Sequence, residues 1–474
     1  MKLFNTLTGT IDAVETLEAS KVKLYTCGLT VYSQPHIGNW VAYIYWDLLV
    51  RTLRGNGYEV ERVQNITDVG HLTDDGDAGE DKMQKGALRE GKTAWDVAEK
   101  YIQIADDEAY NQLGLLRPEH MPRATDFIPQ QIAFVEELER KGYAYTISDG
   151  VYFDTSKLSD YGKLARLDIE GLQFGARVAD TGKKNPTDFA LWKFSPENEK
   201  RDMEWDSPWG KGFPGWHLEC SVMAREILGD QIDIHTGGID HIPVHHTNEI
   251  AQTEAVTGKQ FAAMWLHCNH LKVDGTKISK SLGNIYTLAD ITSKGYDLNA
   301  FKLLVISKHY RSEGNFSWDI MEAANNRYRN WLSVAALRHQ IHETLEDDNS
   351  KHENDKTSTL AAIGAIKEVL GNDLNTPEAL AIIDQEFSKI ESTDVVKLSR
   401  HALVSLLEAI YELLGIDLLT HTPDISDALK QRIIERQRVR EQKDWHTSDE
   451  IRDELLAQGL VIKDTPHGSI WTYA

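Results

Sequence analysis

An α/β fold is what the chain predicts: a parallel nucleotide-binding unit, interrupted by an insertion and followed by mainly helical sequence. Three observations carry this. Near the N-terminus a β-prone segment, a glycine-containing loop, an amphipathic run and a second β-prone segment follow one another, the order of a parallel β-α-β unit. The same alternation returns only after residue 230, beyond a stretch of different texture. Beyond Leu288 helical sequence dominates, which places further domains behind the nucleotide-binding unit.

Taken in order, Lys21 to Thr26 (KVKLYT) is short and β-prone, and CGLTVYSQPHIGN then supplies glycines and a proline before the amphipathic run WVAYIYWDLLVRTLRGNGY. Tyr58 to Ile66 (YEVERVQNI) completes the unit as a second strand. From about Arg117 the texture changes. PEHMPRATDFIPQQIAFVEELERKGYAY reads as helical, while GVYFDTSKLSDYGKLARLD and the residues up to Asn185 read as irregular, together an inserted subdomain. Gln231 to Gly238 (QIDIHTGG) and HHTNEIAQTEAVTG resume strand and helix ahead of the glycine-flanked loop VDGTKISKSLGN. Glu346 to Thr359 (EDDNSKHENDKTST) is expected to be an acidic linker before a helix pair ending near Gly415, and HTPDIS (His421 to Ser426) marks the last boundary. The expected division is residues 1–116 and 206–288 for the two halves of the nucleotide-binding domain, 117–205 for the insertion, 289–420 for a helical stem and bundle, and 421–474 for a small C-terminal α/β domain.

At 474 residues the chain exceeds one ordinary core, in agreement with several domains. With 41% hydrophobic and 26% charged residues, it has no apolar run near the roughly 18 residues of a membrane span, so a soluble protein is expected. The N-terminus, MKLFNTLTGTIDAVETLEAS, has acidic residues where a signal peptide would carry its apolar stretch and lacks the arginine bias of a transit peptide, so the cytoplasm is the expected location. The three cysteines, Cys27, Cys220 and Cys268, are far apart and odd in number, which argues against a disulfide framework and leaves metal binding or catalysis open. A net charge of −23 disfavours general affinity for nucleic acid, so any such contact must come from a local basic patch.

His36-Ile37-Gly38-Asn39 sits where the first strand hands over to the first helix, where backbone N–H groups and the helix dipole favour phosphate. Gly38 would let a nucleotide approach the backbone. Lys277-Ile278-Ser279-Lys280-Ser281 places lysines and hydroxyls in a loop flanked by glycine, able to close over a polyphosphate and neutralise charge developing on its transferring phosphorus. Alone, the two motifs read better as an ordinary loop with an exposed histidine and as a solvated lysine pair. Together, in this order, they are far more specific.

In these residues the chain resembles the class I aminoacyl-tRNA synthetases, whose HIGH and KMSKS motifs bind ATP in a split Rossmann-like (HUP-type) catalytic domain. Within that class, YTCGLTVYSQPHIGN, NITD (Asn65 to Asp68), GWHLECS (Gly215 to Ser221), HTGGIDHIPVHHTNE and KISKSLGN are similar to the cysteine-specific family, over nearly the whole chain. The resemblance implies one Zn²⁺ per chain on Cys27, Cys220, His245 and Glu249, and two thiolates, an imidazole and a carboxylate do suit a tetrahedral zinc shell. His245 and Glu249 are four apart, on one helix face, whereas His246 is expected to point elsewhere. Without the flanking motifs, the cysteines read as buried small hydrophobes. Cys268, in WLHCNH, is expected to pack. Zinc deprotonates a coordinated thiol and holds the thiolate, while a serine hydroxyl is a poorer ligand, so selection falls at the first binding step and no editing domain is expected.

The resemblance further implies that Thr67 and Trp216 line the substrate pocket and that Asp240, in GGIDH, stands near the substrate ammonium. Their plain readings are a strand-end threonine, a core tryptophan and a turn aspartate. His36 and Asn39 are assigned to the phosphates of ATP, Lys280 chiefly to the transition state with Lys277 assisting, and Mg²⁺ to the departing pyrophosphate. The attacking carboxylate is already ionised at neutral pH, so activation needs alignment and charge stabilisation rather than a general base. Two features depart from the family pattern. Asn39 stands where HIGH has its last histidine and cannot carry a proton's charge. Val69 to Glu80 (VGHLTDDGDAGE) is an extra stretch, read as a surface loop without assigned work.

The charge tension is resolved near the C-terminus. Lys430, Arg432, Arg436, Arg438, Arg440 and Lys443 stand against only Glu435 and Glu441, and Trp445 and Trp471 follow, available to stack unpaired bases. This segment resembles the family's anticodon-binding end. The implied activity is a cysteine–tRNA ligase acting on L-cysteine, ATP and tRNA(Cys), with no membrane partner and a monomeric state. Two alternatives remain: an ATP-dependent ligase joining cysteine to an amino sugar, which the basic segment disfavours, and a non-catalytic zinc RNA-binding protein, which the paired HIGN and KISKS loops disfavour.

Overall fold

The chain opens on an antiparallel hairpin of β1 (Lys2–Asn5) and β2 (Thr10–Ala13). β3 (Lys21–Thr26) then feeds α1 (Ile37–Gly55), and β4 (Glu59–Gln64) returns parallel to β3. Val22, Leu24 and Tyr25 of β3 are fully buried, as are Trp40 and Leu49 of α1, so helix and strands share one core. The computed structural model describes residues 1–70, 81–166, 182–196, 201–340, 353–393, 398–465 and 468–473. Residues 71–80 of the extra stretch after NITD therefore lie outside the described residues.

Between the two halves of the parallel sheet come α2 (Lys82–Glu90), α3 (Ala94–Asp106) and α4 (Ile128–Arg140). They are followed by an antiparallel sheet of β5 (Ala144–Ile147), β6 (Gly150–Phe153), β7 (Phe189–Phe194) and β8 (Gly212–Pro214), paired in that order. The insertion is thus more regular than its sequence texture predicts. β6 and β7 are buried along nearly their whole length, so they lack the apolar/polar alternation that marks a half-exposed strand. The expected long helix over residues 118–145 is confined to α4, because the chain before it carries Pro118 and Pro122 and the strand β5 starts at Ala144.

α5 (Trp216–Leu228), β9 (Ile232–Gly238), α6 (His245–Thr257) and β10 (Ala262–Cys268) complete the parallel sheet, whose order is β10-β9-β3-β4. β11 (Leu271–Val273) and β12 (Thr276–Lys277) form a short hairpin. These residues belong to one compact unit, Met1–Asp290 with Tyr310–Asn315.

The second unit, Ile291–His309 with Phe316–Ala474, is mainly helical. After α7 (Leu288–Ser293), α8 (Leu298–Ile306) and β13 (Gly314–Phe316) come α9 (Trp318–Ala336), α10 (Glu353–Leu370), α11 (Thr376–Ser392) and α12 (Arg400–Leu414). Trp331 of α9 packs edge-on against Phe387 of α11 and donates its indole N–H to Asp384 at 2.7 Å. The expected linker over 346–359 is corrected in its second half. Glu353 to Thr359 are the first turns of α10, anchored by Ile366 and Leu370, which are fully buried. A polar run ahead of such a face is as compatible with helix as with loop. Residues 346–352 lie outside the described residues. The chain ends in α13 (Asp427–Glu441), α14 (Trp445–Ala457) and the hairpin β14 (Leu460–Thr465) with β15 (Gly468–Tyr473), around a core of Ile433, Ile451, Leu455, Leu460, Ile462 and Trp471.

Candidate metal and nucleotide site

The chain leaves β3 for α1 and β4 on one side, and β9 lies on the other side of β3, followed by β10. This is a topological switch point, and in open α/β sheets the crevice beyond the strand ends there is where ligands bind. Cys27 follows the last residue of β3, its N–H donating to Thr236 of β9 at 3.3 Å, and Cys268 ends β10. A cavity of about 1070 Å³ opens at these ends, reached by Cys27, His36, Thr67, Trp216, Asp240 and Lys277. The sheet topology brings together residues that are up to 250 positions apart in sequence.

Helix α5 carries Cys220 in its second turn, and α6 starts at His245 with Glu249 one turn on. Ligand atoms of Cys27, Cys220, His245 and Glu249 all lie within 4.8 Å of one another. His245 Nε2 stands 2.9 Å from Glu249 Oε1. Cys220, His245 and Glu249 are buried and Cys27 is half-buried. A second set, Cys27, His235, His246 and Glu249, meets the same distance condition and shares Cys27 and Glu249 with the first. The expectation that His246 points elsewhere is therefore corrected. Its Nε2 lies 3.4 Å from the sulfur of Cys27. Space decides this: a Cβ on Gly237 would come within 2.5 Å of the His246 ring, so the glycine in HTGG makes room for it.

Burial pushes His246 and His267 well below the usual histidine range, neighbouring imidazoles adding to it, so both rings stay neutral. They form a chain, Thr6 Oγ1 to His267 Nδ1 at 2.7 Å and His267 Nε2 to His246 Nδ1 at 2.7 Å. For Glu249 burial acts to raise the carboxyl, yet His235 and His245 outweigh it and hold the group below the ordinary carboxylate range. For His245 burial acts downward, and Glu249 and Cys220 carry it up to about 10. The two thiols share a hydrogen bond that lowers Cys220 to about 6 against burial and, with burial, keeps the proton on Cys27.

The three sequence-assigned pocket residues all reach the cavity. Trp216 stacks at a tilt on His245, ring centroids 4.7 Å apart. Thr67 is buried and accepts from Asn65 Nδ2 at 2.9 Å, while Asn65 Oδ1 accepts the N–H of Gly28 at 2.8 Å, which fixes the chain after Cys27. Asp240 is exposed, in the turn Ile239–His241. Cys268 is buried, as a packing role requires, although it also borders the cavity.

On the side of the HIGN motif, His36 is the N-cap of α1 in extended conformation and receives the side chain of Asn39. The N–H of Ile37 donates to the carbonyl of Tyr286 at 2.8 Å, tying the HIGN loop to the segment after KISKS. A Cβ on Gly38 would meet Ile278 Cδ1 at 2.7 Å, so the two motifs approach closely. The KISKS loop is aimed by the β11–β12 hairpin, whose two-residue turn places Asp274 and Gly275 at φ +48° and +73°, the conformation an Asp-Gly turn supplies. Lys277 is exposed at the cavity. The side chain of Lys280 lies outside the described residues. Asn284 was not singled out from sequence. Its Oδ1 accepts the N–H of Ser279 at 2.8 Å and its Nδ2 donates to the carbonyl of Lys277 at 3.1 Å, so it pins the loop. The signal was present in Gly283-Asn284, a pair typical of turns whose side chain bonds nearby backbone.

Comparison with known proteins meets this geometry. Residues 13–326 match the family model of the class I (C) tRNA synthetase catalytic domain, and residues 422–471 match that of the cysteinyl-tRNA ligase anticodon binding domain. Cysteine–tRNA ligase 1 of Burkholderia lata is 44% identical, the match covering 99% of this chain and 96% of the relative. The chain belongs to the cysteine–tRNA ligase family. The cysteine–tRNA ligases of Novosphingobium aromaticivorans and Treponema denticola are 40% and 38% identical, over 100% and 99% of this chain and 97% and 99% of theirs. Among solved structures, Mycobacterium tuberculosis methionyl-tRNA synthetase bound by methionyl-adenylate superposes with a TM-score of 0.60 at 12% identity, covering 83% of this chain and 92% of that one. The class I fold is shared.

The C-terminal part of this cysteine–tRNA ligase corrects the sequence reading of Trp471, Arg436 and Arg440. Trp471 is 1% exposed, in the core of the end domain, with its backbone N–H on Gln340 Oε1 at 3.0 Å, so it is not available for stacking. Arg436, 2% exposed, holds Asp464 with both Nη atoms at 3.0 and 2.9 Å, and Arg440 joins the same carboxylate. Both arginines hold the fold. Trp445 is 58% exposed, with the Arg440 guanidinium 5.9 Å from its ring centroid, and Arg438 and Lys443 are exposed.

Proposed function

We propose that this cysteine–tRNA ligase activates L-cysteine with ATP to cysteinyl adenylate, then transfers the cysteinyl group to the 3′-terminal ribose of tRNA(Cys), with AMP and pyrophosphate as products. The observation that carries the reading is the convergence of Cys27, Cys220, His245 and Glu249 at the switch point that the HIGN and KISKS loops also reach. The donor set fits zinc. Ligands at about 2.0–2.1 Å from one tetrahedral ion stand roughly 3.3 Å apart, near the His245–Glu249 separation of 2.9 Å. Bound there, zinc would supply a thiophilic contact for the substrate thiolate that a serine hydroxyl would match poorly.

The remaining roles fall to the chain itself. Trp216 walls the pocket beside His245, Thr67 shapes it from the β4 end, and Asp240 takes the substrate ammonium. His36, the amide of Asn39 and the backbone at Gly38 receive the phosphates of ATP at the start of α1. Lys277 and Lys280 neutralise charge developing at the α-phosphorus, and Mg²⁺ accompanies the pyrophosphate. The division 1–116, 117–205, 206–288, 289–420 and 421–474 is kept as the reading of its domains, and a cytoplasmic monomer as its state. No described helix is long and apolar enough to cross a membrane.

The test is cysteine-dependent exchange of pyrophosphate into ATP, followed by charging of tRNA(Cys) against an amino-sugar acceptor. Exchange and tRNA charging together support the reading. Exchange with transfer to the amino sugar alone would replace it with the amino-sugar ligase.

A further inference from the structure

Trp40 is fully buried, and a buried indole N–H needs an acceptor. It finds one in Glu108, Nε1 to Oε2 at 2.9 Å. The other oxygen of that carboxylate accepts from Gln34 Nε2 at 3.1 Å. Gln34 lies ahead of His36 and Trp40 directly follows Asn39, so one carboxylate grips the chain on both sides of HIGN. Gln34, His36, Gly38 and Asn39 all border the cavity, so a shift of this loop is felt there.

Glu108 reaches this position through an irregularity. α3 runs directly into a π-helical turn, Asp107–Gln112, and such turns re-aim side chains that a regular helix would send elsewhere. The turn is braced by Asp107, whose oxygens accept from Asn111 at 2.9 Å and Gln112 at 2.8 Å. Glu108 is only 4% exposed, and both of these hydrogen-bond partners are neutral. Burying a carboxylate is costly, and an apolar residue would fill the space more cheaply.

We propose that Glu108 is a positioning residue for the nucleotide loop, holding Gln34 to Trp40 so that His36 and the backbone at Gly38 face the phosphates of ATP. The proposal rests on the adenylate-forming activity proposed above. In the full-length protein, Glu108→Ala should lower kcat for cysteine-dependent exchange by about 10- to 100-fold, the scale of misplaced reacting groups, with the KM for cysteine and the zinc content unchanged. Glu108→Gln keeps the shape and one acceptor oxygen, and should recover part of the rate at an unchanged melting temperature. Trp40→Phe should cost less alone and add little in the Glu108→Ala background, because both changes break the same hydrogen bond. Wild-type kcat and ATP KM in Glu108→Ala would overturn the proposal, as would fully multiplicative losses in the double variant. Should Glu108→Ala fail to fold, an unchanged kcat in Glu108→Gln overturns it instead. Absence of exchange in the wild-type protein would sink the activity itself, a separate outcome.

Discussion

The side-chain oxygen of Asn39 accepts the backbone N–H of His36 at 2.9 Å, and the N–H of Asn39 returns to the carbonyl of His36 at 2.9 Å. The residue that departs from HIGH is therefore a cap. It reaches back to an N–H that the helix itself cannot satisfy, and leaves its own amide group as a neutral donor.

Two substitutions separate capping from phosphate binding. Asn39→Ala should lose about 1 kcal/mol of stability, the usual cost of a lost cap, and lower the exchange rate as well. Asn39→Asp keeps the acceptor and should retain stability, yet its negative charge faces the phosphates and should raise the KM for ATP. Urea melts and exchange kinetics on both variants decide; an Asp variant with wild-type ATP KM would remove Asn39 from the phosphate site.

The two donor sets around Cys27 and Glu249 make different predictions for metal content. If Cys220 and His245 complete the shell, Cys220→Ala should lose most of its zinc and His246→Ala should keep it, with weaker retention because a partner of Cys27 is gone. The reverse pattern, read by metal analysis of purified protein, would transfer the ion to His235 and His246.

This outcome bears on what was legible in the sequence. The β3-α1-β4 unit, the HIGN and KISKS loops and the His245–Glu249 pair were readable because each is local: a strand next to a loop, or two residues one helical turn apart. The contribution of His246 was not, since it depends on Gly237 of β9 leaving space for a ring carried by α6. Burial misled twice. The fully buried strands β6 and β7 hide their period, and Trp471 and Arg436 look like RNA-binding side chains until the hairpin β14–β15 encloses them. A basic run in sequence does not reveal which of its cations are already paired.

Lys280→Ala should cut cysteinyl adenylate formation by about 10²- to 10³-fold, the scale of one missing transition-state donor, with zinc retained. Asn284→Ala should act on the same step through the loop, by freeing the N–H of Ser279 and the carbonyl of Lys277, and so cost less. A near-normal exchange rate for Lys280→Ala would show that the KISKS loop is not catalytic.

The last prediction concerns RNA, where the pairing pattern of the C-terminal arginines now divides them. Deleting the chain from Ile425 should leave adenylate formation nearly intact and abolish charging, but it also strips Trp471 from Gln340, so point variants are cleaner. Arg436→Ala should destabilise the end domain by roughly 1–3 kcal/mol, less than a wholly buried pair would cost, because Asp464 is 34% exposed. Hydrogen bonding to Arg436 holds the Asp464 carboxyl below its ordinary range, with burial opposing. That contribution is complete above the unfolded pKa of about 4 and fades as pH falls below it, so the end domain should lose its margin in acid. Arg438→Ala should leave stability alone and flatten the salt dependence of tRNA binding, by about 0.7 units of slope for each single-strand phosphate that is no longer neutralised. Trp445→Ala should weaken binding by about 1–3 kcal/mol with little change in slope, as the removal of a stacking platform does. If Arg438→Ala and Trp445→Ala both bind tRNA(Cys) like the wild type at every salt concentration, α13 and the start of α14 are not the anticodon surface.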